Sequence, residues 1–279
     1  MNLSRQAPIK IVSLLAFLWM VAGCSTSSEN KGTLESVVTS VLEYQAQGKT
    51  FEGLVVRPPV SFAKPAGGFP SILMIHNWMG VSGETRKQAE RFAREGFVVL
   101  AVDVYGKGIR PQDPKSAGAE ATKYKSDRQL LRERLQVGLQ ELQKLTDIDP
   151  KQISAAGYCF GGTAAIELAR SGAPIVHAIS FHGGLDSPTP RDGKNIRSTV
   201  TVFHGLADPF VPQKDIAAFE SEMRRHKVRY QRFDYPGVVH SFTDVGAGTD
   251  TSKGAAYNEA ADLDSFAKAL TVLRSTLSP

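Results

Sequence analysis

One of the chain's two cysteines sits between glycines in "GYCFGG", residues 157–162. The run before it, "ISAAGYC", reads as a short strand, and "GGTAAIELAR", 161–170, reads as a helix. Cys159 therefore falls on a strand-to-helix turn of the form G-x-nucleophile-x-G, which holds its central residue in strained backbone geometry. Side chains two residues to either side would collide in such a turn, which accounts for Gly157 and Gly161. The start of a helix also favours negative charge and hence a thiolate. A free thiol, of pKa ~8.5, is mostly protonated at neutral pH. It needs a neighbouring imidazole to ionise it and a carboxylate behind the imidazole to fix the ring's tautomer.

Two later segments offer those partners. "HGLADPFVP", 204–212, follows a predicted strand and places Asp208 in a loop before a helix. "YPGVVHSF", 235–242, follows the last predicted strand and places His240 in a loop. The chain order is nucleophile, acid, histidine, which is the order of the α/β-hydrolase triad. His76, His177, His182 and His204 lie in or at the ends of predicted strands and read as core or strand-end residues, while His226 lies in an exposed basic helix end. Asp103 ends a strand, where it can bind loop amides. The residue after the nucleophile, Phe160, supplies one backbone N–H for an oxyanion. With one candidate thiol and scattered histidines, no zinc-ligand spacing is present, so neither a metal nor another cofactor is expected.

These residues need a scaffold, and the chain alternates buried strands with amphipathic helices. "LESVVTSVLEYQ" and "KTFEGLVVRP" read as antiparallel strands around Gly48. "FPSILMIH" and "FVVLAVDVY" are continuous apolar runs, as strands buried on both faces should be. "ETRKQAERFAREG", 84–96, and "SDRQLLRERLQVGLQELQKL", 126–145, carry helical periodicity. "IVHAISFHG", "TVTVFHG" and "VRYQRFDYP" give three more strands, with "DIAAFESEMRRH" and "NEAADLDSFAKALTVLRSTL" as helices. This alternation predicts one α/β domain over 36–279 with a mostly parallel sheet and helices on both faces. Residues 108–127 and 243–257 read as pocket loops.

Composition is that of a globular chain, at 42% hydrophobic and 22% charged. The 33 Lys and Arg residues against 28 Asp and Glu give a mild +5, and "RRHKVR" at 224–229 reads as a solvated helix end, so nucleic acid is not an expected partner. The N-terminus differs in kind. Arg5 and Lys10 precede the apolar run "IVSLLAFLWMVAG", 11–23, which is short for a membrane span of ~20 residues and fits a signal peptide. Val21-Ala22-Gly23-Cys24 resembles the bacterial lipobox. That resemblance implies cleavage after residue 23, a lipid on Cys24, and a tether over 24–35. Ser25 after the cysteine favours the periplasmic face of the outer membrane. With Cys24 lipidated, Cys159 has no intrachain partner.

"GYCFGG", "HGLADPFVP" and "GVVHSF", supported by "DVYG" and "AYNEAADLDSF", resemble the dienelactone hydrolase family from about Gly48 to the C-terminus. The resemblance implies an α/β-hydrolase fold and a triad of Cys159, Asp208 and His240. It implies hydrolysis of a small-molecule ester or lactone through a thioacyl-enzyme. The second oxyanion donor would be the amide of Trp78, in "HNWMG". His76-Asn77 stands where family members carry Gln-Glu, so Asn77 replaces the glutamate that engages their resting thiol. The family's substrate-binding arginines correspond to Lys107, which keeps the charge, and Asp244, which reverses it. Two other readings use the same chain: a thiol-redox protein acting through Cys159, and a non-catalytic ligand-binding envelope lipoprotein. The first lacks a resolving cysteine and a C-x-x-C pair, and the second leaves the triad unexplained.

Overall fold

The computed structural model describes residues 36–275. The signal segment, Cys24 and the tether lie outside the described residues. Contacts within Glu35–Pro279 make it one unit. The β-branched apolar runs become strands β1 (Val38–Ala46), β2 (Lys49–Arg57), β3 (Phe69–Ile75), β4 (Val98–Val102), β5 (Ile148–Tyr158), β6 (His177–Phe181), β7 (Thr199–Gly205) and β8 (Tyr230–Tyr235). They form a single sheet in the order β1-β2-β4-β3-β5-β6-β7-β8. β1 pairs with β2, and β2 with β4, antiparallel, and every other pairing is parallel. This is the mostly parallel sheet expected from the alternating pattern, in the α/β-hydrolase arrangement that the resemblance implied.

Both faces of the sheet are covered, and the strand alternation shows how. Ile72 and Met74 of β3 join the cluster that holds Ala89 and Phe92 of α1 (Gly83–Ala93) and Leu270 of α6 (Glu259–Arg274). Leu73 and Ile75 join the opposite cluster, with Leu131 and Leu135 of α3 (Arg128–Gln143), Ala165 of α4 (Phe160–Arg170) and Phe219 of α5 (Gln213–Arg225). The helix α4 is also fixed by charge. Arg170, fully buried, pairs with Glu167 at 2.8 Å and with Glu222 of α5 at 2.6 Å. Removing one partner of such a pair would leave a buried charge uncompensated.

One expectation needs correction. Residues 114–126, read as loop, form helix α2 (Pro114–Ser126). Asp113 caps it by accepting from the Lys115 and Ser116 N–H groups, and Pro114 occupies its first turn, where a missing N–H is harmless. Among the described residues no helix is long and apolar enough to cross a membrane. The parallel strands end together at one rim, and the segments after β3, β5, β6 and β7 meet there, the usual position of a site in such a sheet.

Candidate active site

The turn after β5 puts Cys159 at φ 55° and ψ −116°, directly before α4. A Cβ on Gly157 would lie 2.1 Å from the Gly161 carbonyl oxygen, and one on Gly161 would lie 2.1 Å from that of Ile75. Both glycines are therefore required by close backbone approach. The Cys159 N–H donates to the Phe181 carbonyl at 3.0 Å and to Nδ1 of His182 at 3.2 Å. His182, at φ 40°, and Ser241, at φ 57°, share the strained left-handed region with Cys159, and all three line one cleft.

Asp208 lies in the turn after β7, with its carboxylate fully buried. Its Oδ1 accepts the Phe210 N–H at 2.8 Å, and its Oδ2 accepts from His240 Nδ1 at 2.7 Å. The Asp208 bond fixes the proton on Nδ1, and the Cys159 sulfur acts on the ring electrostatically. The backbone around His240 is pinned as well: its N–H donates to the Gly254 carbonyl and its C=O accepts from Ala256. Burial opposes the imidazolium, but the Asp208 carboxylate and the Cys159 sulfur outweigh it and push the His240 pKa up to about 10. Asp208 and His240 are thus joined directly, and the Cys159 sulfur lies close enough to act on the same ring.

The loop after β3 forms the facing wall. Asn77 Oδ1 accepts the Met79 N–H at 2.9 Å, and the Trp78 carbonyl accepts the Tyr105 hydroxyl at 3.1 Å. His76 donates from Nδ1 to the Asn77 carbonyl at 2.6 Å and accepts the Val104 N–H on Nε2 at 3.2 Å. Burial pushes its pKa down to about 4, so it is a neutral brace. Asp103, as expected, binds loop amides, those of Tyr105 and Gly106, and also the amide of Glu52 in β2. Phe160 opens α4, so its N–H has no intrahelical acceptor. Among the described residues no hydrogen-bond acceptor takes the N–H of Phe160 or of Trp78.

The cleft beside Cys159 is open to solvent and is lined by Asn77, Trp78, Glu84, His182, Thr243 and Asp244, among others. Lys107 does not belong to it. The β1–β2 hairpin carries Glu43 and Glu52 to Lys107, which is hydrogen-bonded to Glu43 and stands 3.9 Å from Glu52. Two lining residues were missed. His182 reads from sequence as a strand-end core residue, and Glu84 only as part of a segment with helical periodicity. No group of three or more potential metal ligands occurs among the described residues.

Comparison with known proteins fits this geometry. The model of the dienelactone hydrolase family matches residues 52–277. The chain belongs to the dienelactone hydrolase family. Among solved structures of related proteins, a dienelactone hydrolase-like promiscuous phosphotriesterase, P91, from metagenomic libraries is 30% identical, with a TM-score of 0.80 over 87% of this chain and 99% of the other. A protein of Synechocystis sp., provisionally named a carboxymethylenebutenolidase, is 26% identical over 76% of this chain and 88% of its own. A Bradyrhizobium sp. protein, provisionally named a 2-oxo-3-(5-oxofuran-2-ylidene)propanoate lactonase, is 25% identical over 75% of this chain and 85% of its own. The dienelactone hydrolase match begins inside β2 and covers every site residue named above.

Proposed function

We propose that this protein hydrolyses an activated ester or lactone, with Cys159 as nucleophile, His240 as proton carrier and Asp208 as its orienting carboxylate. The observation that carries this reading is the strained Cys159 turn beside a His240 whose Nδ1 is bonded at 2.7 Å to the buried Asp208. The His240 imidazolium, favoured up to about pH 10, stabilises a thiolate on Cys159 before substrate arrives. This constitutive ion pair replaces activation by a glutamate, which Asn77 does not provide.

The thiolate attacks the carbonyl carbon, and the negative oxygen rests on the unpaired amides of Phe160 and Trp78. His240 gives its proton to the departing alkoxide or enolate as the C–O bond breaks, leaving a thioacyl-enzyme. Neutral His240 then takes a proton from water, the hydroxide adds to the thioester carbonyl, and the C–S bond breaks. The acid leaves, and the thiolate–imidazolium pair is restored. A thiolate is itself a good leaving group, so the first intermediate collapses backwards unless the departing alkoxide, enolate or thiolate is equally good. Enol esters, aryl esters and thioesters meet that condition, and amides do not.

Hydrolysis of short p-nitrophenyl esters by the wild type, Cys159→Ala and His240→Ala tests the reading. Turnover lost in both variants is the expected result, and turnover unaffected by either substitution refutes it. We also propose that the mature protein is anchored to the bacterial envelope by lipid on Cys24, at the periplasmic face of the outer membrane. Cys24→Ala should then move the protein from the membrane to the soluble fraction.

A further inference from the structure

The charge of the cleft beside Cys159 bears on the class of substrate. Glu84, from the first turn of α1, and Asp244, two residues after Phe242, both line it. Among the described residues no lysine or arginine does. Arg91 is committed elsewhere, to Asp262 at 2.7 Å and the Gln88 side-chain oxygen at 3.1 Å. Lys87 stands 3.8 Å from Glu84 but outside the cleft, with its side chain largely in solvent, where such a pair is weak. His182 is neutral, being held far below its ordinary pKa by burial and then by His240. Asp244 uses one oxygen to accept the Gly246 N–H at 2.8 Å.

A second, independent feature lies on the same wall. Tyr158 lines the cleft, is 7% exposed, and its buried hydroxyl has no hydrogen-bond partner among the described residues. A buried hydroxyl left unpaired is costly, and a ligand donor would satisfy it. Trp78, 37% exposed, adds an aromatic face at the mouth. Two carboxylates, an unpaired phenolic oxygen and an indole face make an acceptor set suited to a cationic nitrogen. Burial and the Asp244 charge raise the Glu84 pKa above its ordinary value, against the opposing Gln88 hydrogen bond and Lys87 charge.

We infer that the substrate of this cleft carries a positively charged nitrogen on the side held by Glu84, Asp244, Tyr158 and Trp78, and that carboxylated substrates are rejected. This rests on the hydrolase reading for its substrate, but the charge preference is measurable without turnover. Methanethiosulfonates bearing aminoethyl, trimethylammonioethyl, methyl or sulfonatoethyl groups all transfer their thio group to a thiolate, releasing methanesulfinate. Their rates at Cys159, read by peptide mass spectrometry on the full chain and divided by their rates on a free thiol, report the field in the cleft.

The two cationic reagents should exceed the sulfonate by roughly tenfold after that normalisation. The ratio should fall toward unity in Glu84→Gln/Asp244→Asn, isosteric changes that keep the Gly246 contact. A primary ammonium favoured over the trimethyl reagent assigns recognition to hydrogen bonding, and the reverse assigns it to the Trp78 face. An anionic preference in the wild type, or a ratio unmoved in the double variant, overturns the inference. The substrate arm compares the p-nitrophenyl ester of 4-(trimethylammonio)butyrate with that of its neutral isostere, 5,5-dimethylhexanoate. If labelling keeps its cationic preference while neither ester is turned over, the hydrolase reading fails and the charge assignment stands. If both esters are turned over equally and labelling shows no preference, the charge assignment fails and the hydrolase reading stands.

Discussion

The backbone N–H of Cys159 donates to Nδ1 of His182 at 3.2 Å, which leaves Nε2 of that ring to donate to the Thr243 hydroxyl at 2.8 Å. The two bonds define one tautomer and tie the nucleophile turn to the loop after His240. Thr243 is held in turn through its carbonyl, which accepts from the Gln88 side chain at 3.3 Å. Replacing Thr243 by valine keeps the volume and strands a buried N–H. Urea unfolding should register a loss of about 1–3 kcal/mol, with Thr243→Ser recovering most of it. A merely structural role predicts that loss alone. Positioning of the turn predicts in addition a lower kcat on p-nitrophenyl esters at unchanged KM, again recovered by serine. A Thr243→Val protein as stable as wild type would show that the chain of bonds carries no weight.

Glycine substitutions separate close approach from mere flexibility. Gly157→Ala puts a methyl 2.1 Å from a backbone oxygen that cannot move without breaking the turn, so loss of about 3 kcal/mol or more, or failure to fold, is expected. Gly118 lies within α2, and an added methyl there would meet nothing within 4 Å. There Gly118→Ala should stabilise by about 0.5–1 kcal/mol through helix propensity. Thermal melts of the two proteins decide it, and similar shifts in both would contradict the steric account.

Much of this was legible in the chain because it rests on local rules. Continuous apolar runs marked β3 and β4 as doubly covered, and Gly157 and Gly161 marked the turn before any geometry was known. Asp208 and His240 could be chosen because each follows a strand end. The helix α2 was missed because its buried stripe is only Ala117, Ala121 and Tyr124, too weak a period to see. The Asp113-Pro114 start was the available signal. His182 escaped for a different reason: the β6 end is brought beside the β5 end by sheet order, which a sequence does not display. The Lys107–Glu43 pairing was equally hidden, because Glu43 comes from the hairpin, 64 residues earlier.

Stability should pass through a maximum at about pH 7.5, because the histidines are shifted in opposite directions. Burial pushes His76 down to about 4, and lowers His182 and His204 below their ordinary value. Their folded forms refuse a proton that the unfolded chain accepts. The stability they contribute is therefore complete above about pH 6.5 and is lost as pH falls toward 4, at about 1.4 kcal/mol per pH unit for each proton. His240 has the other sign. Burial opposes its charge, but Asp208 and the Cys159 sulfur raise it to about 10, so its contribution is complete below pH 6.5 and is lost as pH rises through 10. The unfolded thiol keeps its own proton up to about pH 8.5, so with a resting ion pair the alkaline fall begins only above that pH. Urea midpoints at pH 5 and 10 should both lie below that at pH 7.5, and His240→Asn should flatten the alkaline side. A midpoint that climbs steadily from pH 5 to 10 contradicts this assignment.

The resting state of the nucleophile can be read directly from its alkylation. If His240 holds its proton up to about pH 10, Cys159 sits beside a cation throughout the neutral range and needs no substrate to become a thiolate. Iodoacetamide at pH 6 should then modify Cys159 at least about tenfold faster than a free thiol, of which less than about one per cent is ionised at that pH. The rate should change little from pH 6 to 8, because the imidazolium persists across that interval. Asp208→Asn removes the carboxylate that supports the charge at 2.7 Å and should restore a steep rise of rate with pH. His240→Ala should return Cys159 to the free-thiol profile. Slow modification of the wild type at pH 6, accelerated only by an ester analogue that does not react, would place activation with the substrate and overturn the constitutive pair.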